Sequence, residues 1–208
     1  VKLYSYFRSS AAYRVRIALN LKGLSYSAVP VNLRQGEQLE APYRSINPQG
    51  RVPALDIGDT ILTQSPAILE YLEETHPEPP FLPADPEMRA RIRAVSAIVG
   101  CDIHPLNNLS VLQYLKHTLG HDQAQIDAWY AHWIRQGFDA IERLIRPGSY
   151  AFGAHPTLAD IYIVPQVFNA RRMDMALDAY PNIVAVDAAC SGHPAFQAAA
   201  PDQQPDAV

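Results

Sequence analysis

The sequence predicts an α/β N-terminal domain followed by an all-helical C-terminal domain, on three grounds. Residues 77–86, Pro-Glu-Pro-Pro-Phe-Leu-Pro-Ala-Asp-Pro, hold five of the chain's 18 prolines; such a segment sustains neither a helix nor a central strand and stiffens toward polyproline II. Before it, short β-rich runs alternate with helical patterns. After it, apolar residues recur almost only at helical spacing. The expected division is residues 1–78, a linker at 79–86, and 87–208. A chain of 208 residues that is 48% apolar can bury a core in each part.

Lys2 to Tyr6 is expected as a strand, and Ser10 to Lys22 as a helix with Val15, Ala18 and Leu19 on one face and Gly23 as its stop. Tyr26 to Val31 alternates and is β-rich, although Pro30 suits only an edge. Val52 to Ile57, Gly58-Asp59, then Thr60 to Thr63 predict a hairpin with a glycine-containing turn. Ser65-Pro66 opens the next helix, with Ser as N-cap and Pro at the first helical position. The order β-α-β then β-β-α is thioredoxin-like.

Beyond the linker, Met88, Ile92, Val95 and Val99 are spaced for one buried helix face, interrupted near Pro105. Ile126, Trp129, Trp133, Ala140 and Leu144 mark a second long helix. Thr157-Leu158-Ala159-Asp160 has capping-box spacing, and a last helix runs from about Asn182 to Cys190. The tail Pro-Asp-Gln-Gln-Pro-Asp-Ala-Val is polar and Pro-broken, and is expected to be loose.

A formal net charge of -4 argues against a nucleic-acid or anionic-membrane partner. No apolar run reaches the ~18 residues needed to span a bilayer. The first residues lack the layout of a signal peptide, so a soluble cytoplasmic protein is expected. Cys101 and Cys190 stand far apart, which excludes a disulfide framework and a Cys-x-x-Cys redox site. His117 and His121 are four apart with Gly120 between them and lack a third ligand nearby; no metal is expected.

Phe7-Arg8-Ser9-Ser10 stands where the first strand gives way to the first helix. A serine there caps the helix, and a hydroxyl beside a positive helix end also stabilises an anion such as a thiolate. Arg8 adds a fixed cation. Val52-Pro53 offers backbone to an extended ligand, and Gln64-Ser65 marks a second helix N-terminus able to hold a carboxylate. Hydroxyl for a thiol, backbone for a peptide middle and a helix end for a carboxylate together match the layout of glutathione.

Phe7 to Lys22 resembles the zeta-class glutathione transferases, which include maleylacetoacetate and maleylpyruvate isomerases. The resemblance continues through Asn47-Pro48-Gln49-Gly50-Arg51-Val52-Pro53-Ala54-Leu55, Gln64-Ser65-Pro66-Ala67-Ile68, Asp102-Ile103-His104-Pro105-Leu106-Asn107-Asn108-Leu109, and the segment from Thr157 to Val167. It implies the glutathione transferase fold, with a thioredoxin-like N-terminal domain, a helical C-terminal domain and a homodimer. It implies that Ser9, Ser10 and Ala11 line the thiol end of glutathione. Gln38, Val52, Gln64 and Ser65 would hold the rest of it, while His104, Asn108, Leu109 and Ser110 close the pocket from the helical domain. Where the family usually reads Ser-Ser-Cys, this chain has Ala11, which removes a site of oxidation or alkylation. Leu109-Ser110 looks more like the maleylacetoacetate type than the maleylpyruvate type.

The implied reaction is cis-to-trans isomerisation of a maleyl dicarboxylate, with Ser9, Ser10 and Arg8 as catalytic candidates and glutathione recycled. A dianionic substrate wants cations, for which Arg8, Arg171 and Arg172 are candidates. Two alternatives stand beside it: a transferase or dehalogenase that consumes glutathione, and a non-catalytic glutathione-binding module.

Overall fold

The computed structural model describes residues 1–146 and 148–207. Its elements are β1 (Lys2–Ser5), α1 (Ser10–Leu21), β2 (Ser27–Pro30), α2 (Ala41–Arg44), β3 (Ala54–Asp56), β4 (Ile61–Thr63), α3 (Ser65–Thr75), α4 (Pro86–Ala97), α5 (Leu109–His117), α6 (Gln123–Leu144), α7 (Leu158–Arg172), α8 (Pro181–Ser191) and α9 (Pro194–Ala199). They form two compact units. One is Val1–Phe81 together with the segment from Ser191 onward, and the other is Leu82–Cys190.

The first unit is thioredoxin-like. Its sheet runs β2-β1-β3-β4, with β1 parallel to β2 and antiparallel to β3, and with β3 and β4 forming the expected hairpin. Pro30 falls on the edge strand, where a missing N–H leaves no ladder bond unmade. Leu3, Ala54 and Leu55 are fully buried in the sheet, and α1 packs against both α3 and α9.

That packing buries α1 on all sides, from Ser10 to Leu19. Surface or dimer contacts are the roles the sequence suggests for Arg14 and Arg16, yet they are 1% and 0% exposed within this one chain. Arg16 donates through Nε to the Ala199 carbonyl at 2.9 Å, through Nη1 to Ser5 Oγ at 3.0 Å, and through Nη2 to the Phe7 carbonyl at 3.0 Å. Burial lowers its pKa to about 10, which leaves it charged at neutral pH. Lys22 closes the other end of the helix: Nζ reaches Glu73 Oε2 at 2.8 Å and the Pro79 carbonyl at 2.7 Å, and lies 4.0 Å from the Phe81 ring centroid. The start of the proline-rich segment is thus pinned to α1 and α3.

The tail is not loose. A 3-10 turn at Pro201–Gln203 follows α9, Gln204 donates to the Ala198 and Ala200 carbonyls, and Asp206 accepts from the Phe7 N–H. Its polar composition hides the Asp206 partner, which lies 199 positions upstream.

In the second unit, α4 buries Ile92, Val95 and Ser96, then passes into a π-helical turn at Ile98–Ile103 that stops short of Pro105. The buried face of α6 is Ile126, Tyr130, Ile134, Phe138 and Ile141; Trp129 and Trp133 are half-buried and Leu144 is exposed, one step off the expected stripe. Gly137 faces Ile103, where a Cβ would stand 2.3 Å from Cδ1, so only glycine lets α6 approach the π turn so closely. The Thr157 capping box is formed. The fully buried Asp160 accepts from the Thr157 N–H at 2.7 Å, Thr157 Oγ1 at 2.8 Å and the Ala151 N–H at 2.8 Å.

Candidate glutathione site

Ser9 is the N-cap of α1, in extended conformation, and its Oγ accepts from the Ala12 N–H at 3.2 Å. This bond occupies a lone pair and not the proton, so the same hydroxyl can still donate to an anion. Ser9 is half-buried, whereas Ser10, the first residue of the helix, is buried at 5% exposure and Ala11 at 8%. Arg8 is exposed, with its guanidinium carbon 5.0 Å from the Phe7 ring centroid.

Strand register brings the second segment alongside. Tyr4 pairs with Ala54 in the antiparallel β1–β3 ladder, so Val52 lies level with Tyr6, just where the chain turns toward Ser9. Both belong to one buried cluster with Phe7 and Tyr43. The Val52-Pro53 bond is cis. The loop leading to Val52 is held from within: Asn47 Nδ2 and Tyr43 Oη donate to the Arg51 carbonyl at 2.6 and 2.7 Å. Burial pushes the Tyr43 phenol up to about 12, which keeps it a donor.

Gln38, in a 3-10 turn at Glu37–Leu39, sits against that loop. Gly50 has φ +64, and a Cβ there would stand 2.9 Å from the Gln38 carbonyl oxygen. The Gln38 side chain is buried, and its Oε1 has no hydrogen-bond partner among the described residues. A buried acceptor left unpaired costs about 1–3 kcal/mol.

The fourth segment corrects an expectation. The N-cap of α3 is Gln64, not Ser65; Ser65 is already the first helical residue. Gln64 has φ +68, a strained value for a side chain with a Cβ, of the kind that gathers at ligand sites. Its Nε2 donates to Gln49 Oε1 on the Val52 loop, and Ser65 Oγ accepts from Arg14 Nη1 of α1 at 3.4 Å. Pro66 brings no N–H, so the donors that α3 itself leaves over are those of Ser65 and Ala67.

Contacts join Gln38 to the Val52 loop, that loop to Gln64, and Ser65 through Arg14 to α1, while Ser9 completes the ring through its own turn at Tyr6, level with Val52. The ring offers a hydroxyl at a helix N-terminus, backbone beside a sheet edge, a buried amide oxygen and a second helix N-terminus. Groups of these kinds suit a peptide that carries a thiol and free carboxylates.

Glutathione S-transferase family models match the chain twice: the N-terminal domain over residues 1–74 and the C-terminal domain over 123–197. The chain is 53% identical to a maleylpyruvate isomerase of a Ralstonia species over the whole of both chains. It is also 53% identical to a maleylacetoacetate isomerase of Pseudomonas aeruginosa, over 99% of this chain and 98% of that one. This protein is a zeta-class glutathione S-transferase. A solved maleyl pyruvate isomerase of the zeta class superposes with a TM-score of 0.98 at 53% identity, covering 100% of both chains. A maleylacetoacetate isomerase of Anaeromyxobacter dehalogenans with glutathione in its active site gives 0.89 at 44% identity, over 100% of this chain and 97% of that one.

Within this transferase the remaining candidates belong to the helical unit. Asn108 is the N-cap of α5, and its Oδ1 accepts from the Ser110 N–H at 3.1 Å and Ser110 Oγ at 2.9 Å. Leu109 is exposed and His104 half-buried, with its N–H bonded to the Val99 carbonyl at 2.9 Å. Arg171 donates to Asp187 Oδ2, and Arg172 lies 3.4 Å from the Tyr130 hydroxyl. Both arginines are thus engaged within their own unit. Among the described residues, no helix is long and apolar enough to cross a membrane.

Proposed function

We propose that the protein is a glutathione-dependent cis-trans isomerase that converts maleylacetoacetate or maleylpyruvate to the fumaryl isomer. The observation that carries this is the Ser9 hydroxyl held at the N-terminus of α1, within a ring that also offers the buried Gln38 acceptor. When bound, glutathione supplies a thiolate whose reversible addition to the maleyl double bond permits rotation, and it is returned unchanged. Ser9 donates its hydroxyl proton to that sulfur while keeping its cap bond to Ala12, and the partial positive charge of the α1 N-terminus lowers the thiolate's energy further. Val52 presents backbone groups to the peptide, Gln38 accepts one of its donors, and Ser65 with the α3 N-terminus takes a carboxylate. Arg8, exposed beside Ser9, is the cation for a substrate carboxylate. In the same proposal the protein works in the cytoplasm as a homodimer, with its mass in solution to be read by light scattering.

The experiment is the disappearance of maleylacetoacetate and of maleylpyruvate, with and without catalytic glutathione, with the glutathione assayed afterwards. A fast rate that requires glutathione and leaves it unconsumed is expected. Consumption of glutathione in step with product would replace the isomerase by a transferase.

A further inference from the structure

The turn that presents Ser9 is tied down from the far end of the chain. Phe7, two residues earlier and buried, has both backbone polar groups bonded to side chains outside β1. Its N–H donates to Asp206 Oδ2 at 2.9 Å, 199 positions away. Its carbonyl accepts from Arg16 Nη2 at 3.0 Å, and the same guanidinium holds Ser5 Oγ and, at 2.9 Å, the Ala199 carbonyl. The Ser9 N–H then closes the turn on the Tyr6 carbonyl at 2.9 Å. Ala207 packs on the cluster of Tyr6, Phe7 and Val52. Two peptide planes ahead of the hydroxyl are therefore set by groups from α1 and the tail, and not by β1 alone.

A guanidinium offers its donors in one rigid plane, so Arg16 fixes the Phe7 carbonyl relative to Ala199. Asp206 does the same for the N–H on the other side of the residue. With both held, the Phe7 peptides cannot rotate without breaking a bond to Asp206 of the tail or to Arg16 of α1, and Ser9 inherits that restraint. Activation of a bound sulfur depends on direction and distance, and misplacement by about 1 Å can cost about a hundredfold.

We propose that Asp206 is a positioning residue for Ser9: its carboxylate, delivered by the folded C-terminal tail, sets the Phe7 peptide and with it the direction in which the Ser9 hydroxyl meets glutathione. This rests on the glutathione-dependent site described above, and extends it to a residue outside that ring.

Asp206→Ala and Asp206→Asn in the full chain test it with four readouts: amide hydrogen exchange at Phe7 and Ser9 without ligand, ultraviolet titration of the bound glutathione thiol, the split between kcat and KM, and the melting temperature. In Asp206→Ala the Phe7 amide is expected to exchange about tenfold faster. The thiol pKa should rise by about half to one unit, and kcat at neutral pH should fall about 3- to 10-fold, with KM for glutathione moving less than about twofold. Asp206→Asn keeps an oxygen that accepts the same bond and should recover most of each loss. A tail that merely anchors the fold would lower the melting temperature yet leave the thiol pKa in place; that result overturns the proposal. Should the wild type turn over neither maleyl substrate, the isomerase assignment fails by itself, while exchange and thiol titration still decide the role of Asp206.

Discussion

Replacing Ser9 by alanine separates the two tasks of one hydroxyl. As the N-cap of α1 its Oγ accepts from Ala12 at 3.2 Å, and loss of such a cap costs about 1 kcal/mol. For a chain of this size that lowers the melting temperature by about 2–4 °C. The second, proposed task is donation to a thiolate. A hydrogen bond to a charged group contributes about 1.5–3 kcal/mol, or about one to two pKa units at ~1.36 kcal/mol each. A thiol held near ~6.5 is about three-quarters ionised at pH 7, and one that has risen to ~8 is about one-tenth ionised. The rate at pH 7 should therefore fall about eightfold from lost thiolate alone.

The sign of the pH dependence follows. On the proposed role of Ser9 the wild-type site depresses the thiol pKa, so the reactive thiolate is present above that value and lost as pH falls through it. In Ser9→Ala the acid limb moves to higher pH, and the two rate profiles converge in alkaline solution. The assay is kcat/KM against pH beside ultraviolet titration of bound glutathione, with Ser10→Ala as comparator because Ser10 lies buried behind the cap. A Ser9→Ala profile that overlays the wild type, or a shift produced by Ser10→Ala instead, would refute the assignment of Ser9.

Two further outcomes follow from buried polar atoms. Gln38→Met removes an amide whose Oε1 has no partner among the described residues, so the ligand-free protein should melt no lower than the wild type, while its Kd for glutathione rises about 5- to 10-fold; unchanged affinity by calorimetry would remove Gln38 from the site. Asp160→Ala strands the Thr157 and Ala151 N–H groups and opens the α7 capping box, a loss of about 3–4 kcal/mol that should lower the melting temperature by about 10 °C, and a drop under about 2 °C would show those donors satisfied elsewhere.

What was legible in the sequence lies where a local signal and a tertiary need coincide. Ser9, Val52-Pro53 and Ser65-Pro66 each mark an element boundary, so capping and proline chemistry announce them before any contact is known. Gln38 carries no such mark. Its interest comes from burial and from a glycine with positive φ at position 50, and only the family resemblance pointed to it. The N-cap of α3 was misplaced by one residue because serine is the better capping type, whereas the turn is set by the left-handed backbone of Gln64. Arg16 and the polar tail misled for a common reason: the Arg16 bond to Ala199 and the Asp206 bond to Phe7 span 183 and 199 positions, and a guanidinium or carboxylate with buried partners looks in sequence like one facing water.

That misreading also explains how a site built from short segments stays rigid. Preorganised donors stabilise a developing charge because they need not reorient when it appears, and this requires each donor to be fixed before the ligand arrives. Ser9 sits on a turn held at Tyr6 by its own N–H and at Phe7 by Arg16 and Asp206. Gln64 keeps a strained backbone between Gln49 on one side and, through Ser65, Arg14 on the other. Two of these restraints come from the buried arginines of α1, the helix whose first turn carries the hydroxyl. The desolvation that pulls Arg16 down to about 10 is a cost of placing charge in that helix, and the returned benefit is a Phe7 carbonyl that cannot move. An apolar residue at position 16 would be easier to bury, but it would leave the Phe7, Ser5 and Ala199 oxygens without that donor and the Phe7 peptides tied by Asp206 alone.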